Sequence, residues 1–133
     1  MCIRDSKNTL LASSTPEFNS RLISLSSSGH RLSDIHSDNY NLRGEYDPWK
    51  AYGQSKTSNI LFANEVDLRY GSKGLHAWSV HPGAIMDTEL ARHQLGGELS
   101  PVMEKMLADE SFQNIAKNIA QGAATQVLSL IHI

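Results

Sequence analysis

Two short apolar runs mark the chain on either side of a long stretch with helical character. RLISLS (21–26) is bounded by turn residues, and LHAWSV (75–80) ends at HPG (81–83). Short, continuous apolar runs of this kind are typical of strands buried on both faces of a parallel sheet. The pattern therefore predicts two buried strands that belong to one sheet.

A long helix is predicted between these strands. Asp47 can cap its start through the carboxylate, and Pro48 suits the first helical position, where a backbone N–H has no helical partner. The helix should end near Tyr70, before Gly71. Its apolar side chains point around much of the circumference, so we expect cover on two sides. These side chains are Ile60, Leu61, Phe62, Ala63, Val66 and Leu68.

The remaining segments complete an alternating order of elements. TLLAS (9–13) is typical of the end of an apolar helix, and the polar residues 27–47 predict a loop beyond the first strand. Residues 84–112, interrupted by glycine and proline, predict a cover over a site, and residues 113–127 predict a further helix. Strand, helix, strand, cover and helix in this order indicate a doubly wound α/β sheet with right-handed crossovers.

Composition narrows the class of protein without indicating a function. The 133 residues are 40% hydrophobic with a formal net charge of −2, as in one ordinary soluble domain or a piece of one. The basic residues are scattered, so a nucleic-acid partner is not expected. No apolar run approaches the roughly 20 residues needed to cross a bilayer. Cys2 has no disulfide partner in the chain, and the six histidines lack ligand spacing, so no metal site is expected.

The two ends read as foreign to the domain. The chain begins with MCIRDS (1–6) and ends with LSLIHI (128–133). One short DNA sequence can encode the first peptide on one strand and the second peptide on the complementary strand. The shared string resembles the transposon end used to fragment DNA for sequencing. We therefore expect translated adapter at both ends, and a partial domain over residues 7–127.

Three polar motifs stand at the places where a site is expected. AYGQSK (51–56) puts Tyr52 and Lys56 one helical turn apart near the start of the long helix. That spacing alone is a weak signal. In doubly wound sheets, however, ligands lie beyond the carboxyl ends of the strands, and SSSGH (26–30) and HPG (81–83) follow the two strands there.

These motifs resemble the second half of a short-chain dehydrogenase/reductase. YDPWKAYGQSKTSNILFANEV (46–66) and SVHPGAI (79–85), together with SSSGH, resemble the branch of retinol dehydrogenases and WW-domain-containing oxidoreductases. The resemblance implies the carboxyl-side portion of a Rossmann-type parallel sheet. It also implies hydride transfer between NADP or NAD, with NADP favoured, and an alcohol or carbonyl group of a small apolar substrate. The glycine-rich cofactor loop and an additional active-site asparagine of the family would precede residue 7, so the chain alone is expected to be inactive.

The resemblance also implies the residues of the site. The family's catalytic serine falls on Ser27, with Ser26 and Ser28 as close competitors, and the other two catalytic residues fall on Tyr52 and Lys56. Pro82, Gly83, Ile85 and Thr88 join Tyr52 and Lys56 as the cofactor-binding residues. The family's threonine usually stands one position before Thr88, at Asp87 here, so the residue that contacts the carboxamide stays open.

The chemistry of hydride transfer explains these residue types. Oxidation of an alcohol requires loss of its hydroxyl proton, and a phenol with an unperturbed pKa near ~10 is a poor base at neutral pH. The Lys56 ammonium, on the same helical face, favours the phenolate of Tyr52 and can also bind ribose hydroxyls. Ser27 can hold the substrate oxygen.

Other functions and partners stay open at this point. The fold could serve a binding or regulatory protein without turnover, although such a protein needs no catalytic triad of serine, tyrosine and lysine. A serine hydrolase built on Ser27 is disfavoured because no G-x-S-x-G motif is present. Trp49 is interpreted as a packing residue close enough to the motif to line a pocket. The family commonly pairs the long helix between subunits, so we expect a homodimer; membrane association is left open.

Overall fold

A computed structural model describes residues 3–85, 88 and 108–132 of the chain. Helices and strands alternate along it, and none of the described helices is long and apolar enough to cross a membrane. The helices are α1 (Ile3–Ser13), α2 (Pro48–Tyr70), α3 (Glu110–Ile115) and α4 (Ile119–His132), with short 3-10 helices at Ser28–Leu32 and Gly71–Lys73. The strands are β1 (Ser20–Leu25), β2 (Leu75–Val80), β3 (Ala84–Ile85) and β4 (Ala116–Lys117).

The strands pair in parallel, as the sequence predicts. β1 lies beside β2 in a register that runs from Ser20 opposite Leu75 to Leu25 opposite Val80. β3 pairs with β4 over two residues, also in parallel. Helix α2 is the crossover between β1 and β2, which is the connection that parallel neighbours require. The expected α/β class is confirmed, and the arrangement is consistent with a partial Rossmann-type fold.

The core forms where α2 packs on β2. Its buried side chains are small or aliphatic, so that the helix can lie close to the strand. They are Ala63, Val66, Leu75 and Ala77, with Leu10, Leu11, Leu22 and Tyr70 packed around them. The prediction of a first strand buried on both faces is wrong for β1, because Leu25 is 42% exposed. Among the described strands, β1 has a neighbour on one edge alone.

Helix α2 begins and ends where its sequence signals lie. The Asp47 carboxylate accepts a hydrogen bond from the Lys50 N–H at 2.8 Å, and Pro48 is the first helical residue. At the other end, Asp67 accepts from the His76 ring at 2.9 Å and the Ala77 N–H at 3.2 Å. These hydrogen bonds, first that from His76, lower the pKa of Asp67 and tie the helix to β2.

The expected cover on two sides of α2 is not found within the described ranges. Gly53, Ala63 and Val66 are the buried residues of the helix. Leu61 and Leu68 are exposed, Leu68 by 79%. One side of the helix therefore presents apolar surface to solvent, which a folded chain tends to cover with another element or a partner.

The helix predicted over 113–127 is interrupted. α3 ends at Ile115, β4 follows, and α4 begins at Ile119. Asn118 caps the new helix, since its side chain accepts from the Gln121 N–H at 2.8 Å while the Gln121 side chain accepts from the Asn118 N–H at 3.0 Å. This reciprocal pair is a capping box, and it starts a new helix at a point that helical periodicity alone does not reveal.

Candidate active site

Polar side chains of α2 hold the loop that follows β1 against the helix. The Gln54 side chain accepts from the His36 N–H and donates to the Tyr40 carbonyl, each at 2.8 Å. The Thr57 hydroxyl lies 3.1 Å from the His30 carbonyl and 2.9 Å from the Ser33 carbonyl. The loop predicted over 27–47 is therefore a fixed structure, and part of it is the 3-10 helix Ser28–Leu32.

Gly53 lets this 3-10 helix approach α2 closely. A Cβ at this position would lie 2.7 Å from the Ser33 backbone nitrogen and 3.1 Å from the Gly29 carbonyl oxygen. The clash would be with backbone, which cannot rotate away as a side chain can. Glycine beside Tyr52 is thus required by the packing of the segment that contains Ser27.

Ser27 and Tyr52 come together across a second glycine. A Cβ built on Gly29 would overlap the Tyr52 ring and would lie 3.5 Å from the Ser27 Oγ. The Tyr52 ring therefore packs directly on Gly29, which brings it close to the Ser27 hydroxyl. The Ser27 hydroxyl also accepts from the Gly29 N–H at 3.1 Å and caps the 3-10 helix. Its remaining lone pair and its proton can serve a ligand.

Lys56 also lies near the tyrosine ring, at the carboxyl end of β1. Its ammonium is 5.5 Å from the Tyr52 ring centroid, within the range of a cation–π interaction. The ammonium also donates to the Leu25 carbonyl at 3.3 Å, and the Asn59 side chain donates to the same oxygen at 2.8 Å. The end of β1 thus anchors the turn of α2 that carries the lysine.

The three consecutive serines have different environments. Ser26 is buried, its hydroxyl donates to the Lys56 carbonyl at 2.9 Å, and its N–H donates to the Val80 carbonyl at 2.8 Å. Ser26 therefore joins β1, β2 and α2. Ser28 is exposed at the start of the 3-10 helix. Of the three hydroxyl groups, that of Ser27 faces the Tyr52 ring across Gly29.

The HPG turn lies at the same end of the sheet. Gly83 has φ +97°, and a Cβ there would lie 2.7 Å from Cδ and 3.2 Å from Nζ of Lys117. Ile85 of β3 packs so tightly on Gly122 that a Cβ on that glycine would overlap its side chain. Pro82 is half-buried in this turn. Glycine at 83 is therefore favoured by its positive φ, whereas the Lys117 side chain is flexible and could move aside.

The candidate threonine lies just past this turn. The Thr88 hydroxyl donates to the Ile85 carbonyl at 3.4 Å and the residue is exposed. Asp87, the alternative contact for the carboxamide, lies outside the described residues, as does most of the predicted cover over 84–112.

His81, at the end of β2, is close enough to the motif after β1 to be affected by its charge. Partial loss of hydration, followed by the positive charges of Lys117 and His30, lowers the pKa of His81. His30 belongs to the SSSGH motif and its ring contacts the Ser27 carbonyl at 2.7 Å. The motif after β1 and the motif after β2 are therefore near enough to affect each other's charge, as the shared sheet edge predicts.

A cavity of about 590 Å³ lies between the 3-10 helix and α2, away from these groups. His30, Ser33, Thr57 and Ile60 are among the residues that line it. This cavity is not lined by Ser27, Tyr52 or Lys56. It is therefore a surface groove beside the candidate site.

The sequence predicts the reactive groups and misses the residues that arrange them. Gly29 and Gly53 lie inside the motifs SSSGH and AYGQSK, but the need for glycine there arises from contacts between two different segments of the chain. Gln54 and Thr57 read as ordinary polar residues of a helix. Their spacing of three residues, on the face next to Tyr52, is the signal that a second segment packs there.

Comparison with known proteins identifies the family. No family model matches the chain. The oxidoreductase calI of Penicillium decumbens is 50% identical over 123 residues, which cover 92% of this chain and 36% of the relative. The short-chain dehydrogenase/reductase prx1 of Penicillium roqueforti is 49% identical over 126 residues, or 94% of this chain and 35% of the relative. Over the residues that match, the chain belongs to the short-chain dehydrogenase/reductase family.

The branch that the motifs resemble is also represented among the relatives. Retinol dehydrogenase 11 of Mus musculus is 45% identical over 76 residues, which cover 56% of this chain and 23% of the relative. A WW domain-containing oxidoreductase is similar as well. The predicted family and branch resemblance are confirmed. The chain spans about a third of the length of the fungal relatives it matches.

Proposed function

We propose that the whole protein transfers a hydride between NAD(P) and an alcohol or carbonyl group of a small apolar substrate, in the manner of a retinol dehydrogenase. Tyr52 is the acid/base, Ser27 holds the substrate oxygen, and Lys56 assists both the tyrosine and the cofactor. The observation that carries this proposal is the meeting of the Ser27 hydroxyl and the Tyr52 ring across Gly29, with the Lys56 ammonium 5.5 Å from that ring.

The reacting oxygen would lie between Ser27 and Tyr52. The serine hydroxyl donates a hydrogen bond to this oxygen and stabilises the charge that develops there. The tyrosine hydroxyl takes the proton when an alcohol is oxidised and returns it when a carbonyl is reduced.

The donors of Lys56 suit a nicotinamide ribose. An ammonium has three N–H donors, and within the described part of the chain one of them is used, on the Leu25 carbonyl at 3.3 Å. The other two can bind the two ribose hydroxyls on the tyrosine side of the helix. When bound, the nicotinamide supplies or accepts the hydride. We favour NADP over NAD, and titration of the whole protein with each dinucleotide compares them directly.

The HPG turn would bound the nicotinamide on the opposite side. Pro82 and Gly83 supply a turn without a projecting side chain, and Ile85 and Thr88 continue from it. The glycine at 83 leaves space that the Lys117 side chain lines in this structure. Because that side chain is long and flexible, it can rotate aside where a backbone contact could not.

We further propose that the whole protein is a homodimer paired through α2. Leu61 and Leu68 on this helix are exposed, and Phe62 beside them is 36% exposed. An apolar helix face of this kind suits a second copy of the same helix. Light scattering at micromolar concentration tests the dimer; a monomer would mean that another segment covers α2.

Replacement of Tyr52 by phenylalanine tests the proposed reaction. Tyr52→Phe removes one hydroxyl and keeps the ring, so turnover of an alcohol with NADP or NAD should fall roughly a hundredfold or more. Cofactor binding, followed by nicotinamide fluorescence, should change little because Lys56 is intact. Tyr46→Phe is the matched control, since Tyr46 is 70% exposed in the preceding loop. Near-normal turnover in Tyr52→Phe would refute the assignment.

A further inference from the structure

Trp49 stands one helical turn before Tyr52 and touches it. The two rings are 6.4 Å apart between centroids with an interplanar angle of 89°, an edge-to-face contact. Trp49 is 38% exposed, although it is one of the largest apolar side chains in the chain. Packing against Tyr52 therefore uses only part of the indole, and the rest of its surface is accessible beside the tyrosine.

The sides of the Tyr52 ring are occupied by different groups. Gly29 and Ser27 face the ring from the loop, and Lys56 approaches it from the following turn of the helix. Trp49 and Lys56 are at positions i−3 and i+4 relative to Tyr52, so they flank it from opposite directions along the helix axis. A cofactor held by Lys56 lies towards the carboxyl end of that axis.

We infer that Trp49 contacts the substrate and selects for an apolar body attached to the reacting carbon. The inference rests on the proposed function, which puts the substrate oxygen between Ser27 and Tyr52 and the cofactor on the Lys56 side. The substrate carbons must then extend away from the cofactor, towards the amino-terminal turn of α2, where the exposed indole lies. A flat, apolar surface there binds a ring or a long hydrocarbon chain better than a short or polar group.

Two other features of the molecule are consistent with this specificity. The indole lies in the first turn of α2, and that turn is fixed by the Asp47 cap and by Pro48. The backbone that carries the indole is therefore fixed, and the ring itself packs edge-to-face on Tyr52. On the amino-terminal side of Tyr52, the group that packs against its ring is the apolar indole of Trp49, whereas the charged Lys56 ammonium approaches from the following helical turn.

The test uses the whole protein and a series of straight-chain aldehydes from propanal to decanal, with NADPH or NADH. Unchanged protein should show a kcat/KM that rises with chain length. Trp49→Ala should lose roughly tenfold or more for decanal, through KM, and change little for propanal. Trp49→Phe should recover much of the loss because it restores an aromatic surface. Tyr46→Ala, a control that removes an exposed aromatic side chain outside the site, should leave the whole series unchanged.

The possible failures are distinguishable. An equal loss for short and long aldehydes in Trp49→Ala, or a loss in kcat alone, would show that the indole only supports Tyr52, and would overturn the inference while the proposed function stands. The inference would also be overturned, with the proposed function intact, if Trp49→Phe recovered none of the activity that Trp49→Ala loses on decanal. Absence of turnover in the unchanged protein with every aldehyde would overturn the proposed function and the inference with it.

Discussion

Two regions at the carboxyl end of the parallel strands are built in different ways. The serine–tyrosine region, residues 26–59, is joined by hydrogen bonds from Ser26, Gln54, Thr57 and Asn59 to backbone atoms of another segment. The turn region, residues 80–85 with 116–122, is joined by a two-residue ladder and by close packing around Gly83 and Gly122.

The difference concerns how much each region can move. Hydrogen bonds to backbone are directional, and those of Ser26 and Thr57 are part-buried, so breaking one of them costs about 1 kcal/mol. Packing against the flexible side chain of Lys117 can adjust by rotation. The region proposed to transfer the proton is thus held more firmly than the region proposed to meet the cofactor. Substitutions that test this contrast should have graded effects.

The largest effect in this series is expected from Lys56→Ala. The change removes the ammonium from both proposed partners, the Tyr52 phenolate and the ribose, so kcat/KM should fall roughly a hundredfold or more. Dissociation constants for NADPH and NADH should rise as well, which a fluorescence titration measures. Lys50→Ala, on an exposed residue of the same helix, is the control and should retain normal values. An effect on turnover with unaltered cofactor binding would contradict the ribose contact.

Gly53→Ala should have the next largest effect, on stability. The added methyl group meets the Ser33 nitrogen at 2.7 Å, so the 3-10 helix must move and the free energy of unfolding should fall by about 1–3 kcal/mol. Turnover should fall too, because Ser27 moves with that helix. Denaturant unfolding of the whole protein measures the change.

A second glycine of the same helix-and-turn segment provides the control for Gly53→Ala. Gly71 has φ −56° and ψ −44°, and a Cβ there would meet neighbours at ordinary contact distances of 3.4 and 3.5 Å. Gly71→Ala should therefore be neutral or slightly stabilising. Equal destabilisation by the two changes would mean that the close contact between the serine loop and Gly53 does not contribute specifically to the free energy of unfolding.

Gly83→Ala should have a smaller effect on stability than Gly53→Ala. Its φ of +97° is unfavourable for alanine, at a cost on the order of 1 kcal/mol, while Lys117 can rotate away from the new methyl group. Cofactor affinity should fall more clearly than stability, since the turn is proposed to meet the nicotinamide. Isothermal titration with each dinucleotide, beside thermal unfolding, separates the two quantities. A loss of stability equal to that of Gly53→Ala would erase the contrast between the regions.

Local signals explain which elements are predictable from sequence. Helix α2 begins as predicted because Asp47 and Pro48 are local start signals. It ends at Tyr70 as predicted, but Gly71 keeps a helical conformation and the left-handed residue is Gly74, after the short 3-10 helix. The two long strands follow from their apolar runs. β3 and β4 have two residues each and exist only because they pair with each other across the chain, so no local pattern marks them.

The candidate site shows the same division. Tyr52 and Lys56 are found from spacing and from position at the strand end, and the resemblance selects Ser27 among three adjacent serines. The structure adds what the motifs alone do not explain, namely that positions 29 and 53 must be glycine for the two segments to meet. Asn118 and Gln121 differ from these glycines, because their role can be predicted locally. The capping box N-x-x-Q marks a helix start within four residues, although the helical periodicity around it runs on without a break.

The parallel register of β1 and β2 also has a consequence for how the protein folds. Ser20 lies opposite Leu75, so the whole of α2 must be enclosed before the first strand finds its partner. Such non-local pairing requires closure of a long loop and is slow relative to helix formation. During synthesis, Ser27, Tyr52 and Lys56 all leave the ribosome before β2 does. The Ser26 N–H bond to Val80 cannot form until then, so the proposed catalytic groups emerge early but acquire their final arrangement late.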